Sequence, residues 1–167
     1  MPRALPWFVL ALAVLAADRA TKWLVLQAFE AGERLEVTGF FNLVLVFNKG
    51  AAFSFLAGAG GWQTGFFAAV ALVATVVISV LLVRQPGQRL FCTGLALILG
   101  GALGNLWDRL TLGGVVDFLD FHAAGWHWPA FNVADCGITV GAAILILESF
   151  LQPRAGDDEK RGHEKRA

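Results

Sequence analysis

Charge is scarce in this chain. Only 16% of its 167 residues are Asp, Glu, Lys or Arg, and the 13 basic and 13 acidic side chains cancel. That balance gives a nucleic-acid partner nothing to recognise, so the charges matter through their placement. Cysteine is nearly absent as well. Cys92 and Cys136 fall in separate apolar segments that the topology below sets near opposite membrane faces, too far apart for a disulfide, and both read as packing residues. Recognisable hydrolase motifs are missing too: no G-x-S-x-G, no H-E-x-x-H and no phosphate-binding glycine loop occurs, which leaves the serine and metal hydrolase routes unsupported. Nor is there an inverted repeat of the kind on which many transporters are built.

Apolar residues dominate instead. At 57% hydrophobic and a mean hydropathy of +0.64, the composition is that of an integral membrane protein. The run Leu5 to Ala17 has the length of a signal-peptide core, yet hydrophobicity resumes beyond Asp18, Arg19, Thr21 and Lys22 and continues to Phe29. The whole stretch has the length of a tilted spanning helix, about 20 to 25 residues. Three further spans are expected at 62–83, ending at Arg84 and the turn Gln85-Pro86-Gly87, at 90–107, and at 135–151, closed by Pro153. Between the first span and 62–83, the stretch 34–56 contains a Val- and Phe-rich run from Glu36 to Asn48, with Gly39 within it and Gly50 after it, which reads as a strand or hairpin at one membrane surface. The expected fold is a bundle of four transmembrane helices with a small extracytoplasmic β-sheet, a single domain over 1–152. The charged residues 153–167 have a composition that cannot bury a core.

Orientation follows from Lys and Arg in the short connections. Arg3, Arg84, Arg89, Arg154, Lys160, Arg161, Lys165 and Arg166 would share one side, and Arg34 and Lys49 the other, with Arg19, Lys22 and Arg109 near the boundary. Both termini are therefore expected in the cytoplasm. Asn48, Asp117 and Asp135 are expected on the opposite side.

Carboxylates at the edge of a span are functional suspects. Asp117 in GVVDF and Asp135 in FNVAD each end a short apolar run at such an edge. Brought to one site, they cannot both ionise cheaply and would share a proton, the equipment for activating a water. Asn132 is a good N-cap for the last helix, which sets Asp135 in its first turn, where the dipole favours negative charge. Asp135 then leans toward the base and Asp117 toward the acid. Simple capping or ion pairing accounts for either residue equally well at this stage.

Asp18, Thr21 and Lys22 share one helix face, and Asn105, Asp108 and Arg109 repeat that spacing at the outer end of the third span. Either set serves as an interfacial salt bridge or as support for a site. Gly100, Gly101 and Gly104 let a neighbouring helix approach the second set closely. His122 and His127, near Asp117 and Asp120, lack metal-motif character, so no metal is expected. Glu148, near the inner end of the last span, is expected to snorkel to the interface. A small ion- or proton-coupled transporter is the alternative, because intramembrane Asp and Arg also mark ion paths. Here the acids cluster at one face instead.

DRATK at 18–22, NKGAAFSF at 48–55, GGALGNLWDRL at 100–110, VVDF at 115–118 and FNVAD at 131–135 together resemble the lipoprotein signal peptidase, or signal peptidase II, family, in the family's order across almost the whole chain. The resemblance implies a four-helix aspartic peptidase of the bacterial inner membrane. Its substrates are prolipoproteins whose lipobox cysteine carries a diacylglyceryl group, and it cuts just before that cysteine. Asp117 and Asp135 match the catalytic dyad. Asp18, Asn48, Gly104, Asn105, Arg109 and Asn132 match the polar and glycine positions around it, with Asn105, Arg109 and Asn132 expected to orient the carboxylates or bind substrate backbone. Ala51, Ala52 and Phe53 match a loop expected to touch substrate backbone or lipid. Arg19 stands where glutamine is common and Trp107 where tyrosine or an aliphatic is frequent; neither departure touches the dyad. No metal or organic cofactor is implied. Membrane lipid and the lipidated substrate are the expected partners of a protein expected to act as a monomer.

Overall fold

The computed structural model describes residues 3–50 and 61–151. Residues 51–60, which include the expected substrate-contacting Ala51, Ala52 and Phe53, and the charged tail from 152 onward lie outside the described residues. Four helices and four strands follow in the order α1 (Leu5–Ala28), β1 (Arg34–Thr38), β2 (Phe41–Asn48), α2 (Trp62–Arg84), α3 (Arg89–Leu112), β3 (Val115–Ala123), β4 (Trp126–His127) and α4 (Val133–Leu151).

Several helix boundaries have a local cause. Pro6 lies in the first turn of α1, where a missing N–H costs nothing. The α2–α3 connection runs through Pro86 and Gly87, with Gln85 N–H still donating to Leu81 O at 2.9 Å. Gly113, at φ 72°, stops α3 in the left-handed conformation that favours glycine. At the start of α4, Asn132 Oδ1 accepts from the Asp135 N–H at 2.9 Å, and Asp135 Oδ2 accepts from the Asn132 N–H at 3.2 Å. That reciprocal capping box locks the first turn of α4.

α3 is the axis of the bundle, packed against α1, α2 and α4. Its close contact with α4 depends on Gly94 and Gly141: a Cβ on Gly94 would come within 2.8 Å of the Gly141 carbonyl oxygen. One end of the bundle closes as an apolar core of Ala11, Ile78, Leu82, Cys92, Leu95 and Leu99. Three helices, α2, α3 and α4, are long and apolar enough to cross a membrane. α1 equals α3 in length but carries Asp18, Arg19 and Lys22 within its second half. Cys92 is buried and Cys136 exposed, and both are free thiols.

The strands form one antiparallel sheet in the order β1-β2-β3-β4. It is larger than the sequence suggests, because 115–127, between the expected third and fourth spans and with no strand expected, supplies half of it. β3 pairs with β2 from Phe41↔Phe121 to Asn48↔Val115. Its leading residues, Val115 to Phe118, are buried whichever way they point, so polar and apolar residues do not alternate there as they would in a half-exposed strand. α3 also runs to Leu112 rather than ending near Trp107. Val25 at the end of α1 packs with Leu45, Val116 and Phe118 and fastens the sheet to the bundle.

Candidate active site

The sheet and the start of α4 bring Asp117 and Asp135 to one place. Asp117 lies on β3 and is 3% exposed; Asp135 lies in the first turn of α4. Asn132 ties them together. Its Nδ2 donates to Asp117 Oδ1 at 2.7 Å and to the Val116 carbonyl at 3.1 Å, while its main chain and Oδ1 form the capping box with Asp135. Asn48, the last residue of β2, donates from Nδ2 to Asp117 Oδ2 at 3.1 Å. Asn105 on α3 donates from Nδ2 to Asp135 Oδ1 at 2.8 Å. Both oxygens of both carboxylates are thus held by amide N–H groups of three asparagines, one at the end of β2, one on α3 and one capping α4.

Burial, reinforced by the charge of Asp135, pushes the Asp117 carboxyl up to about 7; the hydrogen bonds from Asn48 and Asn132 and the Lys22 charge pull in the opposite direction without prevailing. A carboxyl poised there exchanges a proton at neutral pH.

Behind the amides lies an ion cluster in which Asp18, Lys22 and Asp108 are fully buried and Arg19 is partly exposed. Lys22 Nζ donates to Asn105 Oδ1 at 3.0 Å and forms ion pairs with Asp18 Oδ2 at 2.9 Å and Asp108 Oδ2 at 2.8 Å. Asp108 also pairs with Arg19, and its Oδ2 accepts from the Val116 N–H at 3.2 Å. Asp18 Oδ1 accepts from the Ala134 N–H at 2.9 Å. Two cations face two anions, and each anion holds the backbone next to one member of the dyad. Because Lys22 fixes the Asn105 carbonyl oxygen, the amide end of Asn105 must face Asp135.

The expected supporting residues divide accordingly. Asn48, Asn105 and Asn132 touch the dyad directly. Asp18 does not; it acts through Lys22 and Ala134. Gly104 lies against the Asp18 carboxylate, where any Cβ would collide with it. Arg109 donates to the Asn105 carbonyl at 3.1 Å and to the Gly50 carbonyl at 3.1 Å, and sits over the Phe67 ring at 5.6 Å. It positions backbone from α3 and from the end of β2. Thr21 leaves the polar face and bonds to the carbonyl of Ala17 in its own helix. His127 Nδ1 pairs with Asp120 at 2.8 Å and its ring stacks on His122, well along the sheet from the dyad. Lys22 and Asp108 are the members whose importance the sequence hid: their helical spacing is visible, but not that the two faces meet.

The dyad opens into a cavity of about 450 Å³. Its polar floor is Asn48, Asn105, Arg109, Asp117 and Asp135, and its apolar walls include Trp128, Phe131, Ile138 and Val140. Peptide polar groups suit the floor and hydrocarbon suits the walls.

A family model described as Signal peptidase (SPase) II matches residues 10–151. The lipoprotein signal peptidase of Ralstonia nicotianae is 57% identical over 149 residues, covering 89% of this chain and 86% of that one. That of Paraburkholderia phytofirmans is 58% identical over 149 residues, covering 89% and 87%. Among solved structures, a bacterial membrane enzyme determined by the in meso method at 2.3 Å superposes with a TM-score of 0.77 at 28% identity, covering 87% of each chain. With a family model matched over most of its length, the chain belongs to the signal peptidase II family.

Proposed function

We propose that the protein is an aspartic endopeptidase that removes the signal peptide from diacylglyceryl-modified prolipoproteins by cleaving before the lipidated cysteine. The observation that carries this reading is the pair Asp117 and Asp135, joined through Asn132 at the floor of a cavity with hydrocarbon-like walls. Asp135, with hydrogen-bond donors on both oxygens, takes a proton from the attacking water. The water oxygen adds to the scissile carbonyl carbon. Asp117, whose carboxyl holds its proton to about pH 7, delivers that proton to the departing cysteine nitrogen as the C–N bond breaks. The proton now on Asp135 returns to Asp117 through the shared site, and the dyad is reset.

The remaining assignments follow from this reading. α1 is the fourth span, its charges consumed inside the bundle. Both termini lie in the cytoplasm of a bacterium and the site lies at the outer face of the inner membrane, within a single peptidase domain over 1–152 that acts as a monomer among membrane lipids. The apolar core around Leu82 and Leu95 sits behind the polar cluster, an arrangement suited to a one-sided site and not to an ion path.

Processing of a diacylglyceryl-modified prolipoprotein by purified variants tests the chemistry. Asp117→Asn and Asp135→Asn should each lower turnover by roughly 10² to 10⁴-fold or more, and the double variant should be no worse than the singles because the pair acts as one unit. Chelators should change nothing. Near-normal cleavage by either folded single variant, or chelator inhibition reversed by added metal, would overturn the dyad.

A further inference from the structure

A second concavity adjoins the first. It is about 420 Å³ in volume and is walled by Phe40, Phe121, Ala123, Trp126, Trp128 and Phe131 together with His122. Trp128 and Phe131 line both this cleft and the catalytic cavity, so the two share a wall. Side chains alternate along a strand, and Asp117, Phe121 and Ala123 therefore project from the same face of β3. Phe121 is anchored by ring contacts with Phe41 at 4.8 Å and Phe131 at 5.9 Å. Trp126 and Phe40 also touch rings of the cleft, Trp128 at 5.9 Å and Phe121 at 6.5 Å, yet remain 63% and 59% exposed, so most of their apolar surface is open. The mechanism uses neither.

We propose that this aromatic cleft is a subsite for the substrate polypeptide on the far side of the scissile bond, binding apolar or aromatic residues of the segment that follows the lipidated cysteine. The inference rests on the peptidase reading above. The lining of the catalytic cavity has two sides with different chemistry. One is Ile138, Thr139 and Val140 of α4, residues of a span, and suits the signal segment and the lipid. The other is Trp128 and Phe131, shared with the aromatic cleft on the sheet, and suits the chain continuing beyond the cut. From Asp117 to Phe121 is four strand residues, about 13 Å. An extended substrate covers that length with about four residues, so its fourth or fifth residue after the cut meets the aromatic floor. Flat, rigid aromatic surfaces with few polar atoms bind apolar side chains with little loss of freedom, and that makes the cleft selective in composition rather than in exact sequence.

The test compares two diacylglyceryl-modified substrates, one ending immediately after the lipidated cysteine and one extended by an apolar segment that reaches Phe121. Wild-type enzyme should show a lower KM for the extended substrate. The double variant Phe40→Ala/Trp126→Ala, altered at two exposed side chains outside the catalytic cavity, should raise that KM about tenfold and leave the short substrate's kcat/KM unchanged; Trp126→Phe should keep most of the extended-substrate advantage. Equal losses on both substrates, or none on either, overturn the subsite. Brominated phospholipids supply the other arm: if they quench the part of the fluorescence that Trp126→Phe removes, bilayer fills the cleft and the proposal falls. Wild-type cleavage of the short substrate reports on the peptidase reading separately, so failure of the cleft and failure of the activity are distinguishable.

Discussion

The two halves of α3 bury opposite chemistry in the same helix. From Phe91 to Leu99 it contributes Cys92, Leu95, Ala96 and Leu99 to an apolar core, whereas from Gly104 to Arg109 it buries Asn105 and Asp108. The first half needs only shape, supplied by the Gly94–Gly141 approach and by side chains such as the wholly buried Leu82. The second needs closed hydrogen-bond accounting, since a buried charge without its partner is far costlier than a missing methyl group. Lys22 provides the counter-charge for both buried carboxylates. The apolar half holds the helices together, and the polar half fixes where the dyad amides point.

The largest effect that separates the halves should come from Lys22→Met. It leaves Asp18 without its cation and Asp108 with Arg19 alone, and it leaves the Asn105 carbonyl oxygen held only by the 3.3 Å bond from Asn132, which loosens the Asn105 amide against Asp135. Breaking a buried pair in this way costs about 3–5 kcal/mol. Thermal unfolding in detergent should show that loss, and the folded fraction should also turn over at least tenfold more slowly. Adding Asp18→Asn and Asp108→Asn should recover much of the stability and little of the turnover. Full turnover by folded Lys22→Met would show that the cluster only stabilises.

Leu82→Ala is the counterpart in the apolar half. The side chain is 0% exposed, so truncation should cost about 2–5 kcal/mol. Its distance from the polar end predicts that kcat per folded molecule stays within twofold of the wild type. A kcat loss that matches the stability loss would mean that the two halves are coupled rather than separate.

Legibility in the sequence follows the same division. Helix positions came from continuous apolar runs, and their ends fell within a few residues where a local signal exists: Pro86-Gly87 after α2, and Asn132 before α4. The capping role of Asn132 is local and was readable. β3 was not, because its burial on both faces removes alternation and its partner β2 lies about 70 positions earlier in the chain. The Lys22 cluster was half readable: the spacing of 18, 21 and 22, and of 105, 108 and 109, shows two polar faces, but only the packing of α1 on α3 shows that they meet. Thr21 illustrates the limit, since it shares the spacing yet bonds to its own helix. Arg109 was expected to orient the carboxylates or bind substrate backbone; it bonds to the carbonyls of Asn105 and Gly50, a partnership set by where β2 ends and invisible in any local pattern.

The smallest effect, and the most specific to the polar half, is in pH. Burial first, and the Asp135 charge second, raise the Asp117 carboxyl to about 7. If Asp117 is the acid, kcat/KM must fall as pH rises through about 7, approaching tenfold per unit above it, because the free enzyme loses the proton it must deliver. Asn48 favours the ionised form of Asp117 through its 3.1 Å hydrogen bond, so Asn48→Leu should move this alkaline limb to higher pH while lowering its plateau. Stability gives an independent check on the same carboxyl. An aspartate in the unfolded chain titrates near about 3.9, so between about pH 4 and pH 7 the folded protein holds more protons than the unfolded one. Asp117 therefore contributes stability that is fully present below about pH 4 and is lost as pH rises toward 7, with no further change above. Asp117→Asn should remove that slope and leave the variant more stable than the wild type at pH 8, whereas no substitution in the apolar core should alter the slope. A wild-type alkaline limb that stays put in Asn48→Leu, or a stability slope that survives Asp117→Asn, would assign the titration to another group.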